Sequence, residues 1–294
     1  MKLVVGCGYL GSRVARRWLA AGETVAAVTR SPQRAELLAR DGLRPIVADV
    51  TRAETLAALP PATSVLYAVA YDPAGTASRE AIYAGGLAAV LDALPAETGR
   101  ILLTSSTGVY GPSGGDWVDE DTPCDPPREA GRAMLDAERI LQSGRFAGRG
   151  IVLRLAGLYG PGRIPRVADV LAGRPLAMTA QGYLNLIHVD DAAAAILAAD
   201  ARAQPPRTYV VADGQPVRRR DFYRCLAELL GRPEPTFVDP PPGGRSAERG
   251  SSDKRVRSFR LSLELGVAWE YPSYREGLAA IVSRTSGLPQ EHRP

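Results

Sequence analysis

The sequence predicts an α/β fold in which a doubly wound, mostly parallel sheet is joined by a small discontinuous lobe near the C-terminus. Two observations predict it. Short apolar runs rich in Val, Ile and Leu alternate with segments of helical spacing, as expected for strands that helices cover on both faces. The first apolar run, Leu3–Val5, also leads directly into a glycine-rich turn and then into an amphipathic helical stretch.

Three glycines, Gly6, Gly8 and Gly11, follow the first strand in the spacing Gly-x-Gly-x-x-Gly. Strand, turn and helix in this order are the pattern of a dinucleotide-binding βαβ unit. We expect Gly6 to allow the tight turn, Gly8 to let the backbone approach a pyrophosphate, and Gly11 to let the helix pack close to the sheet. Tyr9 and Leu10 lead into the helix, whose free N–H groups attract phosphate. All five residues are therefore predicted to bind a dinucleotide cofactor.

The remaining elements continue this alternation. The first helix ends at Gly22, and the second begins with Ser31 as its N-cap and Pro32 at its first position, and ends at Gly42. Further strands are predicted at Thr24–Val28, Pro45–Ala48, Ser64–Val69, Arg100–Thr104, Ile151–Leu155 and Thr208–Val211. Further helices are predicted at Ser78–Leu94, Arg128–Gln142, Arg219–Leu230 and Ser273–Arg284.

Composition limits the class of protein. The chain has 294 residues, of which 45% are hydrophobic, enough for one large domain or two smaller lobes. No apolar stretch is long enough to span a bilayer, and the early first strand leaves no signal peptide, so we expect a cytoplasmic protein without a membrane partner. The three cysteines lack metal-ligand spacing and are expected to be reduced, without a metal site. The net charge of +4 comes without basic runs interleaved with aromatics, so no nucleic-acid partner is expected.

The end of the second strand indicates which dinucleotide binds. NAD-binding proteins of this type place an acidic residue there to hold the ribose 2′-hydroxyl, but here the strand continues into Arg30. A guanidinium suits a 2′-phosphate, and Arg34 follows one helical turn later, so NADP is predicted over NAD, unless Arg30 is an ordinary solvated charge. Asp49, after the third strand, is expected to meet the adenine amino group or to cap a turn. Ala68 and Val69, after the fourth strand, complete the predicted cofactor contacts.

Four later motifs, together with the glycine turn, resemble the extended short-chain dehydrogenase/reductase superfamily, the group of NAD-dependent epimerases and dehydratases. The motifs are Thr104–Gly111, Arg154–Gly162, Leu186–Ala192 and Leu263–Gly266. They occur in the family's order, and the resemblance covers residues from about 2 to 284.

The resemblance implies a Rossmann-fold cofactor domain and a smaller substrate lobe. The expected cofactor domain is residues 1–165 with strand segments near 186–190 and 207–212, the expected lobe is residues 166–185 and 213–284, and residues 285–294 form a tail. Within the lobe, the polar segment Gly243–Asp253 is predicted to be mobile. The family often forms homodimers through its two long helices, here Ser78–Leu94 and Arg128–Gln142, so a homodimer is an open possibility.

The resemblance also implies a catalytic Ser or Thr, a Tyr and a Lys. Ser106 aligns with the first and is expected to hydrogen-bond the reacting oxygen. The Tyr and Lys belong to the pattern Y-G-x-x-K-x-x-x-E, which aligns here through Gly131 and Glu138. Ala130 then stands at the Tyr position and Met134 at the Lys position, and neither side chain can transfer a proton. The chain therefore resembles an atypical branch that lacks the Tyr-x-x-x-Lys pair.

Other residues are weighed as replacements. Tyr110 lies on the same loop as Ser106 and is expected either to face the cleft as a proton source or to pack with its hydroxyl satisfied. Arg132 is the nearest cation to the missing Lys, although it lies on another face of the helix. By resemblance, Lys254 and Arg255 are expected to bind the phosphates of a substrate, unless they are surface charges.

These features together predict an NAD(P)-dependent oxidoreductase or epimerase-like enzyme. Its substrate would be a small polar molecule, a nucleotide sugar among the candidates, and its cofactor NADP. The alternative is a non-catalytic NADP-binding sensor or scaffold, which the loss of the proton-transferring pair favours.

Overall fold

The structure is a computed structural model that describes residues 1–240 and 253–286. The strands are β1 (Lys2–Val5), β2 (Val25–Thr29), β3 (Arg44–Val47), β4 (Ser64–Tyr67), β5 (Arg100–Ser106), β6 (Trp117–Val118), β7 (Gly150–Leu155), β8 (Gly157–Tyr159), β9 (Leu176–Ala177), β10 (Tyr183–Leu184), β11 (Leu186–His188), β12 (Arg207–Val211), β13 (Val217–Arg218), β14 (Phe237–Val238) and β15 (Arg255–Val256). The helices are α1 (Gly11–Ala20), α2 (Pro32–Arg40), α3 (Gly86–Ala93), α4 (Glu129–Ser143), α5 (Val167–Leu171), α6 (Val189–Arg202), α7 (Arg219–Leu229), α8 (Phe259–Leu265) and α9 (Tyr274–Ser286).

Seven strands form one parallel sheet in the spatial order β12-β7-β5-β4-β1-β2-β3. The order runs outward in both directions from the centre of the sheet, so the connecting helices cover both faces. The predicted doubly wound α/β fold is therefore confirmed.

Alternate residues of the central strands enter two separate cores. Val4 of β1 packs in one core with Val14 of α1 and Ile196 of α6. Its neighbour Val5 packs in the other with Leu87 of α3. Because successive strand side chains point to opposite faces, an apolar run without polar alternation fills both cores at once.

A third core lies outside the large sheet. It combines Phe222 and Leu226 of α7 with Leu278 of α9, and Leu176 of β9 with Tyr159 of β8. Short two-stranded pairs surround it, namely β8 with β11, β9 with β14 and β10 with β13. The predicted division of the chain into a cofactor domain and a substrate lobe stays a prediction.

One predicted helix differs in form. The segment predicted as a helix over Ser78–Leu94 contains a π-helical turn at Ala81–Gly85 before α3 begins at Gly86. A Cβ at Gly86 would lie 2.6 Å from Tyr67 Oη and 2.8 Å from Val50 Cγ2, so glycine is needed for this close approach to the sheet. A bulge of this kind is an accommodation to packing, which helical spacing alone does not reveal.

Two predicted segments fall mostly outside the described residues. These are the mobile segment, of which residues 243–252 are not described, and the tail, of which residues 287–294 are not described. None of the described helices is both long enough and apolar enough to cross a membrane. Within the same described ranges, no group of three or more His, Cys, Asp or Glu side chains is placed to hold a metal ion.

Candidate cofactor and substrate cleft

A cleft of about 930 Å³ opens at the carboxyl ends of the parallel strands. It is lined by residues that follow β1, β2, β3, β4, β5 and β7 in turn. Its walls include Gly6 and Gly8 from the glycine turn, Ala68 and Val69 after β4, and Ser106 at the end of β5. Ligands of open α/β sheets bind at this edge, where the loops from several strands meet.

Contacts around the glycine turn explain its spacing. Gly6 adopts a φ of 94°, and a Cβ there would lie 2.6 Å from backbone atoms of Ala68 and Val69. A Cβ at Gly11 would lie 2.3 Å from the Gly6 oxygen, so glycine lets α1 approach the turn. A Cβ at Gly8 would meet no protein atom within 4 Å, which leaves open space over the turn.

The start of α1 faces that open space without a side-chain cap. Leu10 occupies the N-cap position and makes no capping hydrogen bond, and the first turn contains no acidic residue. Tyr9 and Leu10 both line the cleft. The positive end of the helix dipole therefore favours an anion here.

Two predicted cations also line the cleft. Arg30 is exposed, and its Nη2 lies 3.5 Å from Asp72 Oδ2. Arg34 Nη2 donates to the Cys7 carbonyl at 3.5 Å, while its backbone N–H donates to Ser31 Oγ and so confirms the predicted cap of α2. This end of the cleft carries positive charge at the position predicted for a 2′-phosphate.

Asp49 does not line the cleft, although its neighbours Ala48 and Val50 do. Its Oδ1 accepts hydrogen bonds from the backbone N–H of Thr51 at 2.9 Å and from the Thr51 hydroxyl at 2.8 Å. Partial burial opposes ionisation, but these two hydrogen bonds lower the pKa of Asp49. Of the two roles predicted for Asp49, the geometry matches turn capping and not the adenine contact.

Ser106 lies on the cleft wall, as predicted from its motif. Its Oγ accepts a hydrogen bond from the Gly108 N–H at 3.0 Å, which leaves the hydroxyl hydrogen available to donate. The preceding Ser105 instead donates to buried Glu138. The strand pleat thus directs adjacent serine hydroxyls to different environments, and only that of Ser106 is left for a ligand.

The positions of the missing Tyr and Lys are occupied as the alignment indicates. Met134, on α4, lines the cleft together with Ser106. Ala130 is exposed on the first turn of the same helix and does not line the cleft. The Ser106 end of the cleft therefore has an apolar thioether at the position that aligns with the family's Lys.

Tyr110 does not reach the cleft. It is 2% exposed, and its Oη accepts a hydrogen bond from Arg154 Nη1 at 2.9 Å. Burial raises the pKa of Tyr110, although Arg154 opposes this. The predicted role of Tyr110 as a proton source is corrected accordingly, because a satisfied hydroxyl in the core cannot contact a substrate.

Arg132 also points away from the cleft. It is exposed on α4, and its Nη1 donates to the Pro127 carbonyl at 2.6 Å. Met134, which does line the cleft, lies two residues further along the helix. Residues two apart on a helix face different directions, so the structure separates Arg132 from the cleft wall that Met134 and Ser106 form.

Lys254 and Arg255 lie outside the cleft wall as well. Lys254 is buried, and its Nζ donates to the Tyr110 carbonyl at 3.2 Å. Burial and the nearby charge of Arg128 lower the pKa of Lys254 to about 8. Arg255 donates from Nε to the Gly115 carbonyl at 2.7 Å. The structure thus places Lys254 under the loop that follows Ser106, and Arg255 against a neighbouring turn.

The cleft includes residues that the sequence analysis missed. They are Val5, Cys7, Val28, Thr29, Ala48, Val50, Ala70, Tyr83, Thr104, Ser105, Leu155, Ala156, Gly157, Leu158, Arg163, Ile164 and Pro165. Most end a predicted strand or follow one directly, so the carboxyl ends of strands were a usable signal. For Arg163 the signal was the Pro161-Gly162 pair, a dipeptide typical of a tight turn shortly after β7.

Comparisons with known proteins agree with this fold. Protein YeeZ of Escherichia coli strain K12 is 34% identical over 174 residues, which are 59% of this chain and 59% of YeeZ. The 3-diazoavenalumate denitrifying reductase of a Streptomyces species is 30% identical over 94% of this chain and 98% of its own. A solved structure of a functionally unknown conserved protein from Silicibacter pomeroyi is 30% identical and has a TM-score of 0.77, covering 97% of this chain and 98% of that one. Residues 2–212 match the NAD dependent epimerase/dehydratase family.

Proposed function

We propose that this chain, which belongs to the NAD dependent epimerase/dehydratase family, binds NADP in the cleft and transfers a hydride between the nicotinamide and a small polar substrate. The observation that carries this function is the composition of one continuous cleft. The glycine turn, Arg30 and Arg34 line it together with Ser106 and Met134. Anion-binding groups and a substrate-polarising hydroxyl are thus on the same walls.

The glycine turn fits a dinucleotide. The open space over Gly8 admits a pyrophosphate, and the uncapped start of α1 offers it the positive end of a helix dipole. Val28 and Val50 add apolar wall near the two arginines, which suits an adenine ring. When bound, a nicotinamide dinucleotide supplies or accepts a hydride at ring carbon C4.

The choice of NADP depends on Arg30. No acid follows β2 to hold a 2′-hydroxyl, and the pair between Arg30 and Asp72 is exposed at 58% and 45%, so it is weak enough for a phosphate to replace it. Arg30→Glu should weaken NADPH binding about 10-fold or more and leave NADH binding nearly unchanged, because the guanidinium contacts only the 2′-phosphate. Calorimetric titration with both cofactors measures this.

Arg52→Glu is a matched control, since Arg52 is an exposed arginine after β3 that does not line the cleft. It should change neither affinity by more than about twofold. Equal weakening of NADPH and NADH by Arg30→Glu would remove Arg30 from the 2′-phosphate site.

Ser106 is the residue we assign to the reacting oxygen. Its hydroxyl hydrogen can be donated to a carbonyl or hydroxyl of the substrate while Gly108 N–H holds the oxygen in place. Ala130 and Met134 transfer no proton, and Tyr110 lies in the core, so the proton comes from water or from the substrate itself. One relative that spans 94% of this chain is named a reductase, which supports reduction over epimerisation.

Lys254 has a place in this scheme as a positioning residue. It holds the Tyr110 carbonyl and so supports the loop that begins at Ser106. Arg132 and Arg255 receive no substrate role, because neither lines the cleft.

The rival function is a non-catalytic NADP-binding sensor, favoured specifically by Ala130 and Met134. Hydride labelling separates the two. The protein is incubated with a small-molecule extract and NADPH deuterated at C4, with the two faces in separate tubes, and products are examined by mass spectrometry. We expect deuterium in a metabolite from one face, and a labelling rate about 100-fold lower in Ser106→Ala.

Ser143→Ala, an exposed serine at the end of α4, is the matched control and should label at the normal rate. Saturated NADPH binding without label from either face would contradict hydride transfer and support the sensor. Deuterium transfer at the normal rate in Ser106→Ala would still support hydride transfer, but it would show that Ser106 takes no part in the mechanism.

A further inference from the structure

A tight loop after β8 carries one further cation into the cleft. Gly160 and Arg163 exchange backbone hydrogen bonds, N–H to carbonyl, at 3.1 and 2.9 Å. Pro161 and Gly162 occupy the two central positions, and Gly162 has a φ of 73°, as the third residue of a type II turn requires. The backbone therefore holds the Cα of Arg163 in a defined position, even though its side chain is exposed.

This loop is docked onto the glycine turn through Tyr9. The Tyr9 hydroxyl donates to the Pro161 carbonyl at 3.1 Å. A Cβ at Gly160 would lie 2.6 Å from the same hydroxyl oxygen, so the loop packs directly against the phenol. The Arg163 guanidinium carbon lies 5.5 Å from the centre of the Tyr9 ring, within cation–π range. Arg163 is thereby placed beside the turn and also lines the cleft.

A second arginine on the same ring provides a comparison. Arg13 lies 4.4 Å from the Tyr9 ring centre, but its Nε pairs with Asp190 at 3.1 Å and its Nη1 donates to the Tyr9 carbonyl. The positive charge of Arg13 is thus paired with Asp190 inside the protein. Across the described ranges, no carboxylate lies within 4.0 Å of the Arg163 guanidinium.

Two positive features consequently border the same volume. One is the start of α1, which has no acidic residue in its first turn. The other is the Arg163 guanidinium on the facing loop. An anion that accepts hydrogen bonds from both features relieves the repulsion between them. A planar guanidinium can donate two hydrogen bonds to the oxygens of one phosphate.

We propose that Arg163 binds the diphosphate of the cofactor, on the phosphate nearer the nicotinamide, and so clamps the dinucleotide between the glycine turn and the loop after β8. This role presupposes the proposed cofactor binding. The loop follows β7 and β8, and Leu155 at the end of β7 is the strand partner of Ser106, so the loop leaves the sheet beside Ser106. This places Arg163 on the Ser106 side of Tyr9. The diphosphate is favoured over a substrate anion because Tyr9, the support of Arg163, belongs to the glycine turn.

The test compares ligands that differ in the second phosphate. Calorimetric titrations use NADPH, 2′-phospho-ADP-ribose and adenosine 2′,5′-bisphosphate, the last of which lacks the nicotinamide-side phosphate. Arg163→Met should weaken the first two about 10-fold and the third by less than about twofold, since a charged hydrogen bond at an exposed site is lost. Arg163→Lys, which keeps the charge but not the fork, should recover part of the affinity.

Arg166→Met is the matched control, because Arg166 lies three residues further on, pairs with Asp169 and does not line the cleft. It should bind all three ligands normally. At about 0.5 M salt, the difference in NADPH affinity between wild type and Arg163→Met should become smaller, because salt screens an exposed charge contact. If the substitution instead weakened binding by misplacing the loop, salt would not reduce the difference.

If the wild-type protein bound none of the three ligands, the proposed function would be overturned. The proposed contact of Arg163 with the cofactor diphosphate would be overturned as well. Normal wild-type binding with unchanged affinities in Arg163→Met would overturn only the clamp. Equal weakening of all three ligands would likewise contradict a contact to the second phosphate.

Discussion

Single residues in this protein have environments that their neighbours in sequence do not suggest. Asp213 follows β12 and is 7% exposed. Its Oδ1 accepts a hydrogen bond from the Gln215 N–H at 2.9 Å, but its Oδ2 has no hydrogen-bond partner among the described residues. Burial, with smaller contributions from Asp191 and Glu276, raises the pKa of Asp213 to about 7. A buried carboxyl group with an unsatisfied oxygen favours its neutral form.

We therefore expect Asp213 to make stability depend on pH. Its pKa is higher in the folded chain than the ordinary value of 3.8, so its contribution is fully present below pH 3.8 and is lost as pH rises through about 7. Across that interval the free energy of unfolding should fall by about 1.4 kcal/mol per pH unit from this group. Asp213→Asn should match wild type near pH 4 and exceed it near pH 8, as measured by urea denaturation.

The exposed Asp92→Asn is the control for this comparison and should leave the pH dependence unchanged, because its carboxyl group faces solvent. An Asp213→Asn protein whose stability follows the wild-type pH profile would show that Asp213 ionises without a free-energy cost, which would contradict the proposed effect of burying Oδ2 without a partner.

At the scale of elements, a buried ion pair joins α4 to β7. Arg154 Nη2 lies 2.7 Å from Glu138 Oε2, with the side chains 8% and 1% exposed. Ser105 of β5 donates to the same carboxylate, and Arg154 also donates to Tyr110. The network lies directly beneath the strand end that presents Ser106, so it holds this wall of the cleft in place.

Breaking this pair should be costly. Glu138→Ala leaves the Arg154 guanidinium buried without its carboxylate, and we expect a loss of about 3–5 kcal/mol in the free energy of unfolding. The double variant Glu138→Leu with Arg154→Met removes both charges and should lose less than Glu138→Ala alone. Guanidinium chloride denaturation measures both.

Arg139→Met with Asp136→Leu, which removes an exposed pair on the same helix, should change stability by less than about 1 kcal/mol. If Glu138→Ala also lowered the free energy of unfolding by less than about 1 kcal/mol, water would have replaced the carboxylate. The buried pair would then not hold α4 to β7.

The whole molecule assembles its cleft from strand ends that are far apart in sequence. Residues after β1 and after β7 face each other across it, and Arg163 approaches Tyr9 from a loop about 150 positions away. The predicted homodimer stays a prediction. The outward residues of α4 include charged Arg132 and Arg139, and sedimentation would distinguish the 31.2 kDa chain from a pair of chains.

Local patterns determined much of this protein. The glycine turn, the capped start of α2 and the buried strands depend on near neighbours in the chain. Their residues alone therefore predicted the parallel sheet and the glycine turn that lines the cleft. Ser106 was predicted differently, from the alignment of its motif with the family, and the structure places it on the cleft wall. The family resemblance could also be read from short motifs in order.

Only the tertiary structure decided which side chains enter the cleft. The strand pleat directs the Ser106 side chain into the cleft and the Ser105 hydroxyl toward Glu138. Tyr110 packs in the core, where its hydroxyl contacts Arg154. The Pro161-Gly162 pair indicates a turn before Arg163, but no sequence neighbour indicates that this turn lies against Tyr9, which comes from another part of the chain. Such contacts arise between elements brought together by folding, and the spacing of residues within one element carries no information about them.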